Sequence, residues 1–340
     1  MPEGHTVHRL ARTFADLFGG QPLTVTSPQG RFAAGAALVS GRGLVASEAW
    51  GKQLFLRFGP PAAAWASDVA PPWADDGASD LWLRVHLGLY GAWTFSSDGS
   101  AAVVHAIGAP RKRVGEAETS LPPAPEADGD WTPPPPRGAV RARLLGAHAV
   151  ADLTGPTACE VVTPAEKAAV EARLGPDPIR PDGGRGSLQA ARAAFVAAVG
   201  CSRVTIAQQL LDQSVVAGVG NIYRAEALFR AGIDPLRPGR DLAPATLGRL
   251  WDDLVVLLRD GAATGAIVTT RPEDRGTAAP GDPGRRRTRQ NTDAAPGAVP
   301  AHEAFYVYHR DALPCRACGA PVLVKELGGR TLYWCGACQR

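Results

Sequence analysis

Residues 213–223 read Gln213-Ser214-Val215-Val216-Ala217-Gly218-Val219-Gly220-Asn221-Ile222-Tyr223, two glycines set directly before a run with helical period. Gly218 and Gly220 can take backbone angles that other residues avoid, and Asn221 is a natural helix N-cap. Such a turn can aim successive N–H groups outward. The start of the following helix adds positive potential, so an anion such as a DNA phosphate would fit. A tight turn between two helices explains the same residues without any ligand.

Helical periodicity flanks this turn at 188–199, 205–211, 222–231 and 243–261. Thr205-Ile206-Ala207-Gln208 has the form of a capping box. Upstream, Pro156, Pro164, Pro176, Pro178 and Pro181 mark a linker and an entry into helices. Earlier still, short β-like runs recur between turn residues at 23–25, 44–47, 53–58, 81–86, 92–95, 103–107 and 144–147, the spacing of an antiparallel sandwich. Stretches 60–79 and 115–138, the second with Pro133-Pro134-Pro135-Pro136, read as surface insertions with little fixed structure. At the start, Val7, Leu10, Ala11, Phe14, Leu17 and Phe18 predict an amphipathic helix over 3–18 with Glu3 in its first turn. The expected class is α+β and multidomain: an antiparallel β-sandwich domain over 1–150, a linker over 151–187, a helical domain over 188–267, an Arg-rich loop over 268–304 and a small module over 305–340.

That last module carries Cys315-Arg316-Ala317-Cys318 and Cys335-Gly336-Ala337-Cys338, two CxxC knuckles a hairpin's length apart. Four thiolates on two tight turns close a tetrahedral zinc site, and a site with no open position is structural rather than catalytic. The expectation is one structural Zn(2+) per chain. A redox role for a CxxC is disfavoured by the pairing of two such motifs. Gly328-Gly329 suits a tight β turn between Val322-Leu323-Val324 and Thr331-Leu332-Tyr333, which puts Arg330 at or near the tip. An arginine there could stay solvated or contact a phosphate or base. Cys159 and Cys201 stand alone and read as small buried hydrophobes.

The chain's 340 residues suffice for two domains with a core each, and 45% hydrophobic with 20% charged residues is the composition of a soluble globular protein. No signal-like or membrane-spanning apolar stretch is present in the sequence, so the expected location is cytoplasmic. A net charge of +3 does not by itself single out a nucleic-acid partner but leaves room for a local basic groove. Arginine supplies nearly all the positive charge; lysine is confined to Lys52, Lys112, Lys167 and Lys325, so each has a role to be sought. The cluster Arg285-Arg286-Arg287 with Arg289 fits a solvated linker as well as a nucleic-acid contact.

The chain opens Met1-Pro2-Glu3-Gly4. A small second residue licenses removal of Met1, leaving Pro2 as a secondary amine beside the Glu3 carboxylate. An α-amino group titrates near ~8 and a lysine near about 10.4, so at neutral pH only the former offers a useful fraction of nucleophile. Attack of a secondary amine on an aldehyde-level carbon gives an iminium ion, an electron sink, and Glu3 could shuttle the protons. Proline also simply suits a first helical turn.

Taken in order, Pro2-Glu3, Gly51-Lys52-Gln53-Leu54, Gly218–Tyr223 and the terminal ribbon with Cys338-Gln339 resemble the formamidopyrimidine-DNA glycosylase/endonuclease VIII family. The start Pro2-Glu3-Gly4-His5-Thr6-Val7 most closely resembles its actinobacterial endonuclease VIII-like branch, with His5 in place of an acid. The resemblance covers most of the chain apart from the insertions. It implies a β-sandwich followed by a helix-two-turn-helix domain and a zinc finger, acting as a monomer on damaged DNA without a membrane or small-molecule cofactor. Pro2 then matches the nucleophile, Glu3 the acid/base, and Lys52 an essential lysine on a β-strand. Asn221 and Arg330 match residues gripping the phosphates that flank the lesion, with Gly218 and Gly220 shaping the turn. His86-Leu87-Gly88-Leu89-Tyr90-Gly91 resembles the loop that fills the hole left by a flipped base, with Leu89 and Tyr90 as the wedge; read alone, both would be core residues. The implied activity is that of a bifunctional DNA glycosylase and AP lyase of base excision repair. Two departures stand out. His5-Thr6 replaces a second Pro-Glu, and 268–300 lacks a recognisable base-covering lid, which favours oxidised pyrimidines. The alternatives are a noncatalytic zinc-ribbon DNA-binding or lesion-sensing protein of the same fold, and a proline tautomerase, against which length and the cysteines speak.

Overall fold

The structure is a computed structural model that describes residues 2–61, 80–100, 106–108, 131–275, 299 and 301–340. It divides into two compact units, one of Met1–Pro2 and Thr6–Arg173, the other of Glu3–His5 and Leu174–Arg340.

In the first unit the order is α1 (Gly4–Phe18), β1 (Thr24–Thr26), α2 (Ala33–Val39), β2 (Arg42–Trp50), β3 (Gln53–Pro61), β4 (Leu81–His86), β5 (Ala92–Ser97), β6 (Ala106–Gly108), β7 (Val140–Leu145), β8 (Ala149–Thr154), β9 (Ala158–Val162) and α3 (Pro164–Glu171). The strands form two antiparallel sheets, β1-β7-β8-β5-β6 and β2-β3-β4-β9. Period-two alternation explains how they share one core. Leu54, Leu56 and Phe58 from β3 and Leu83 and Val85 from β4 meet Trp93, Phe95, Leu144, Ala151 and Leu153 from the other sheet. The apolar stripe of α1, including Leu10, Phe14 and Phe18, enters the same cluster, with the Phe14 ring 4.7 Å from Trp93.

The opposite face of β3 and β4 is covered by α3, and one of the scarce lysines secures it. The Lys167 ammonium lies 4.4 Å from the Trp82 ring centre and 5.1 Å from that of Phe55, with Glu171 at 2.6 Å and Glu48 at 3.0 Å. Two carboxylates and two rings hold a nearly buried cation. Lys167→Ala removes the cation–π contacts and both ion pairs of this nearly buried cation, so we expect a loss of about 2 kcal/mol in unfolding free energy. Chemical denaturation of the two proteins checks this; equal midpoints would refute it.

The sequence reading places a linker over 151–187, whereas β8, β9 and α3 fill the first part of that stretch and the first unit runs to Arg173. The prolines misled because Pro156 sits between two strands and Pro164 is the first residue of α3, where its missing N–H costs nothing. A capping box does occur, at Thr163 and Glu166. At Thr205 it does not form: the hydroxyl donates to Gln208 Oε1 at 2.8 Å, no side-chain cap reaches the backbone, and the helix there is short. The run Pro133–Pro136 is not loose either, since Arg143 donates to the Pro134 carbonyl and Pro133 and Pro134 are half-buried. Residues 62–79, 101–105 and 109–130 of the expected insertions and strands, and the cluster Arg285–Arg287 with Arg289, lie outside the described residues.

The second unit contains α4 (Leu188–Gly200), α5 (Ile206–Gln209), α6 (Asn221–Arg230), α7 (Pro244–Thr264), β10 (Leu323–Leu327) and β11 (Arg330–Trp334). Phe195, Leu228, Leu250, Trp251 and Leu254 form its main core, joined by Leu332 of β11. Gly265, in the left-handed region at φ 79°, ends α7. Beyond α7, the two edges of the expected 268–304 loop are tied down through α6. The fully buried Glu226 carboxylate accepts from the Thr269 hydroxyl and from the backbone N–H groups of Tyr306, Val307 and Tyr308. Burial pushes this carboxyl above its ordinary range and the four donors oppose that.

Candidate active site

Glu3 lies immediately before α1 and is 1% exposed, with its carboxylate at the start of α6. One oxygen accepts from Gly220 N–H at 2.8 Å and the other from Ile222 N–H at 2.8 Å, while Gly4 N–H donates to the Gly218 carbonyl at 2.8 Å. Donors and the positive end of α6 suit a negative charge. The approach is so close that it requires glycine: a Cβ on Gly220 would stand 2.4 Å from Glu3 Cδ, and one on Gly4 would stand 2.7 Å from Gly218 Cα.

This corrects the reading of the glycine turn. Gly220 donates to Glu3, and Gly218 donates to Gln213 Oε1 at 2.9 Å, so neither N–H is aimed outward at a phosphate. The anion at this helix start is the protein's own carboxylate. Gln213 also donates to the Leu211 and Val219 carbonyls, which staples the turn from inside. Nor is Asn221 the N-cap. Gly220 holds that position, and Asn221, the first helical residue, directs its Nδ2 to the Thr331 carbonyl at 2.9 Å.

Thr331 follows Arg330, the first residue of β11. Gly328 and Gly329, at φ 62° and 70°, make the two-residue turn that leaves Arg330 paired with Leu327, directly after the tip. Asn221 and Arg330 thus stand on neighbouring elements of one unit. The knuckles lie behind them. The sulfur atoms of Cys315, Cys318, Cys335 and Cys338 all fall within 4.8 Å of one another, with Cys318 to Cys335 at 3.5 Å and Cys315 to Cys338 at 3.9 Å. Tetrahedral Zn–S bonds of ~2.3 Å require sulfurs about 3.8 Å apart, so the four-cysteine cluster fits a structural zinc. Gln339, directly after the last knuckle cysteine, fixes the knuckle, accepting from Cys335 N–H and donating to the Ile233 carbonyl, each at 2.9 Å.

In the first unit, Pro2 is buried. Lys52 is not on a strand as expected. Trp50 pairs with Gln53, so Gly51 and Lys52 are the two-residue turn between β2 and β3, with Gly51 at φ 57°. A turn frees the lysine from the sheet's in-and-out alternation. His86, opposite Gln53 on β4, had not been singled out. Burial, then the charges of Lys52 and Arg84, lower its pKa and keep the imidazole neutral at neutral pH. Leu89 and Tyr90 occupy the turn after β4 and are 39% and 74% exposed, while Leu87 is the residue that enters the core. They are therefore not core residues.

The formamidopyrimidine-DNA glycosylase H2TH domain matches residues 174–272. Endonuclease 8 1 of Mycobacterium tuberculosis (strain ATCC 25618 / H37Rv) is 38% identical over 340 residues, covering 100% of each chain. In fold, the chain is similar to the MutM (Fpg) protein of Thermus thermophilus, with a TM-score of 0.62 at 24% identity over 99% of this chain and 98% of that one. It is similar to Lactococcus lactis Fpg in complex with abasic-site DNA, with a TM-score of 0.63 at 17% identity over 99% of each. These define a zinc-finger DNA-repair enzyme of the helix-two-turn-helix class. The chain belongs to the formamidopyrimidine-DNA glycosylase/endonuclease VIII family of DNA glycosylases and AP lyases.

Proposed function

We propose that this glycosylase removes oxidised bases, pyrimidines foremost, through a Schiff base on Pro2, and then cuts the strand by β- and δ-elimination. The observation that carries the reading is the seat of Glu3: a carboxylate adjoining the amine, buried, and oriented by two backbone N–H donors. Pre-orientation of this kind is what a proton-shuttling group requires. After loss of Met1, the Pro2 nitrogen attacks C1′ of the damaged nucleotide, the bond from C1′ to the base breaks, and the base leaves with that electron pair and takes up the proton the nitrogen gives up. Glu3 delivers a proton to the sugar ring oxygen, the ring opens, and the nitrogen's electron pair closes the iminium. That cation acidifies the C2′ hydrogen, whose loss expels the 3′ phosphate; a second elimination expels the 5′ phosphate. Lys52 contributes positive charge for a phosphate or a proton for transfer. Asn221 and Arg330 grip the phosphates beside the lesion, and the exposed pair Leu89 and Tyr90 replaces the flipped base in the stack. The absence from the sequence of a recognisable lid over 268–300 supports the pyrimidine preference.

Borohydride added to the protein and an abasic-site duplex should trap a covalent adduct, and Pro2→Gly should lower its yield by at least about tenfold. A panel of oxidised pyrimidine and purine duplexes reads the preference, and end-group analysis of the products reads δ-elimination. Absence of both adduct and strand cut from the wild-type protein would overturn the covalent mechanism. Intact mass showing retained Met1 in active protein would do the same.

A further inference from the structure

Arg224 is a buried cation that the chemistry above does not use. It lies one turn after Asn221 on α6 and is fully buried, yet its Nε and Nη1 hydrogens meet no acceptor among the described residues. Its Nη2 is engaged twice, donating to Asn221 Oδ1 at 2.5 Å and to the Thr331 carbonyl at 3.0 Å. Asn221 Nδ2 donates to that same carbonyl, which closes a triangle between the start of α6 and the start of β11. Burial lowers the guanidinium to about 10, opposed by Glu3 and reinforced by Arg330, so it remains charged at neutral pH. A buried cation with unused donors is a poor device for stability alone, because an apolar side chain of similar volume would do as well or better.

Its chemistry suits another task. A guanidinium has donors only, so the carboxamide oxygen of Asn221 must face it and the amide nitrogen must face away. Flipped, the carboxamide would set its NH2 against the guanidinium and its oxygen against the Thr331 carbonyl, and would turn its acceptor toward the phosphate it should bind. Arg224 also covers the Thr331 carbonyl, so Asn221 can transfer its N–H to a phosphate without leaving that oxygen unpaired. We propose that Arg224 is a positioning residue for the phosphate grip: it fixes the Asn221 carboxamide with its NH2 presented to DNA and ties that residue to the strand that begins with Arg330. The inference rests on Asn221 and Arg330 being the phosphate contacts.

The test measures affinity of the zinc-loaded full chain for a duplex with a non-cleavable abasic analogue, across a range of salt. Asn221→Ala should weaken binding about tenfold and, because a carboxamide carries no charge, leave the slope of log affinity against log salt nearly unchanged. Arg224→Met should reproduce the loss of affinity, and adding it to Asn221→Ala should cost no more than about twofold further, because it acts through that residue. Arg224→Lys keeps the charge without the planar fork and should behave as the methionine variant does, which keeps the test readable if the methionine variant fails to fold. Wild-type affinity in Arg224→Lys, or an equal loss from Arg224→Met with and without Asn221, would overturn the inference while the phosphate reading stood. Wild-type affinity in Asn221→Ala would overturn the phosphate reading and the inference with it.

Discussion

Glu3→Gln should slow base release in single turnover by roughly 10²–10⁴-fold, the usual worth of a positioned acid/base, while lesion-duplex affinity stays within a few-fold. The substitution preserves volume but fails twice. Glutamine cannot carry the proton, and its NH2 must face one of the two N–H donors that the carboxylate now satisfies, Gly220 or Ile222. Gly220→Ala tests the same seat with Glu3 intact. Its methyl would overlap the Glu3 carboxylate carbon, so the side chain must leave its place and a comparable rate loss follows. Parallel stopped-time assays of the three proteins decide it. Turnover within about threefold of wild type in both variants would show that the seat does not serve catalysis.

The seat also shows how far sequence reasoning reaches. The four cysteines, the hairpin with Arg330 after its glycine tip, and the alternating strands 53–58 and 81–86 were legible because local spacing alone determines them. The glycine turn was recognised as an anion site, but the anion was misassigned. Its partner is Glu3, 217 residues away, and no local pattern records such a contact. Arg224, Gln213 and Glu226 escaped notice for a related reason. On a helix or turn a polar residue reads as solvated, and only tertiary packing shows that Arg224 and Glu226 are buried, and Gln213 half-buried, against backbone groups they bond. Lys52 was expected on a strand only through the family resemblance, since the β-like run read from the residues begins at Gln53; the two-residue connection before it carries no periodic signal. Pro156 and Pro164 read as breakers, although an inter-strand connection and a first helical position are both places where proline costs little.

Loss of the metal should have the second large effect. The hairpin β10–β11 is only two strands, a size that is marginal by itself, and the whole outer face of β10 is exposed. Its support is Leu332 in the main helical core and a small cluster in which Cys315, Cys335, Val322 and Tyr333 pack with Phe229 and Tyr306. Structural zinc in comparable fingers contributes on the order of 10–16 kcal/mol of apparent binding energy, far more than this cluster could replace. Cys335 is wholly buried, so Cys335→Ser should abolish zinc binding rather than weaken it. The hairpin then frays, the Thr331 carbonyl leaves Asn221 and Arg224, and Arg330 is no longer held beside them. Lesion-duplex affinity should fall by more than about tenfold. The core of the first unit contains no residue of the finger, so its unfolding transition should persist. Zinc analysis, two-probe thermal unfolding and duplex titration of Cys335→Ser together read all three consequences. A variant that keeps one zinc per chain and wild-type affinity would show that the four sulfurs do not form the site their geometry describes.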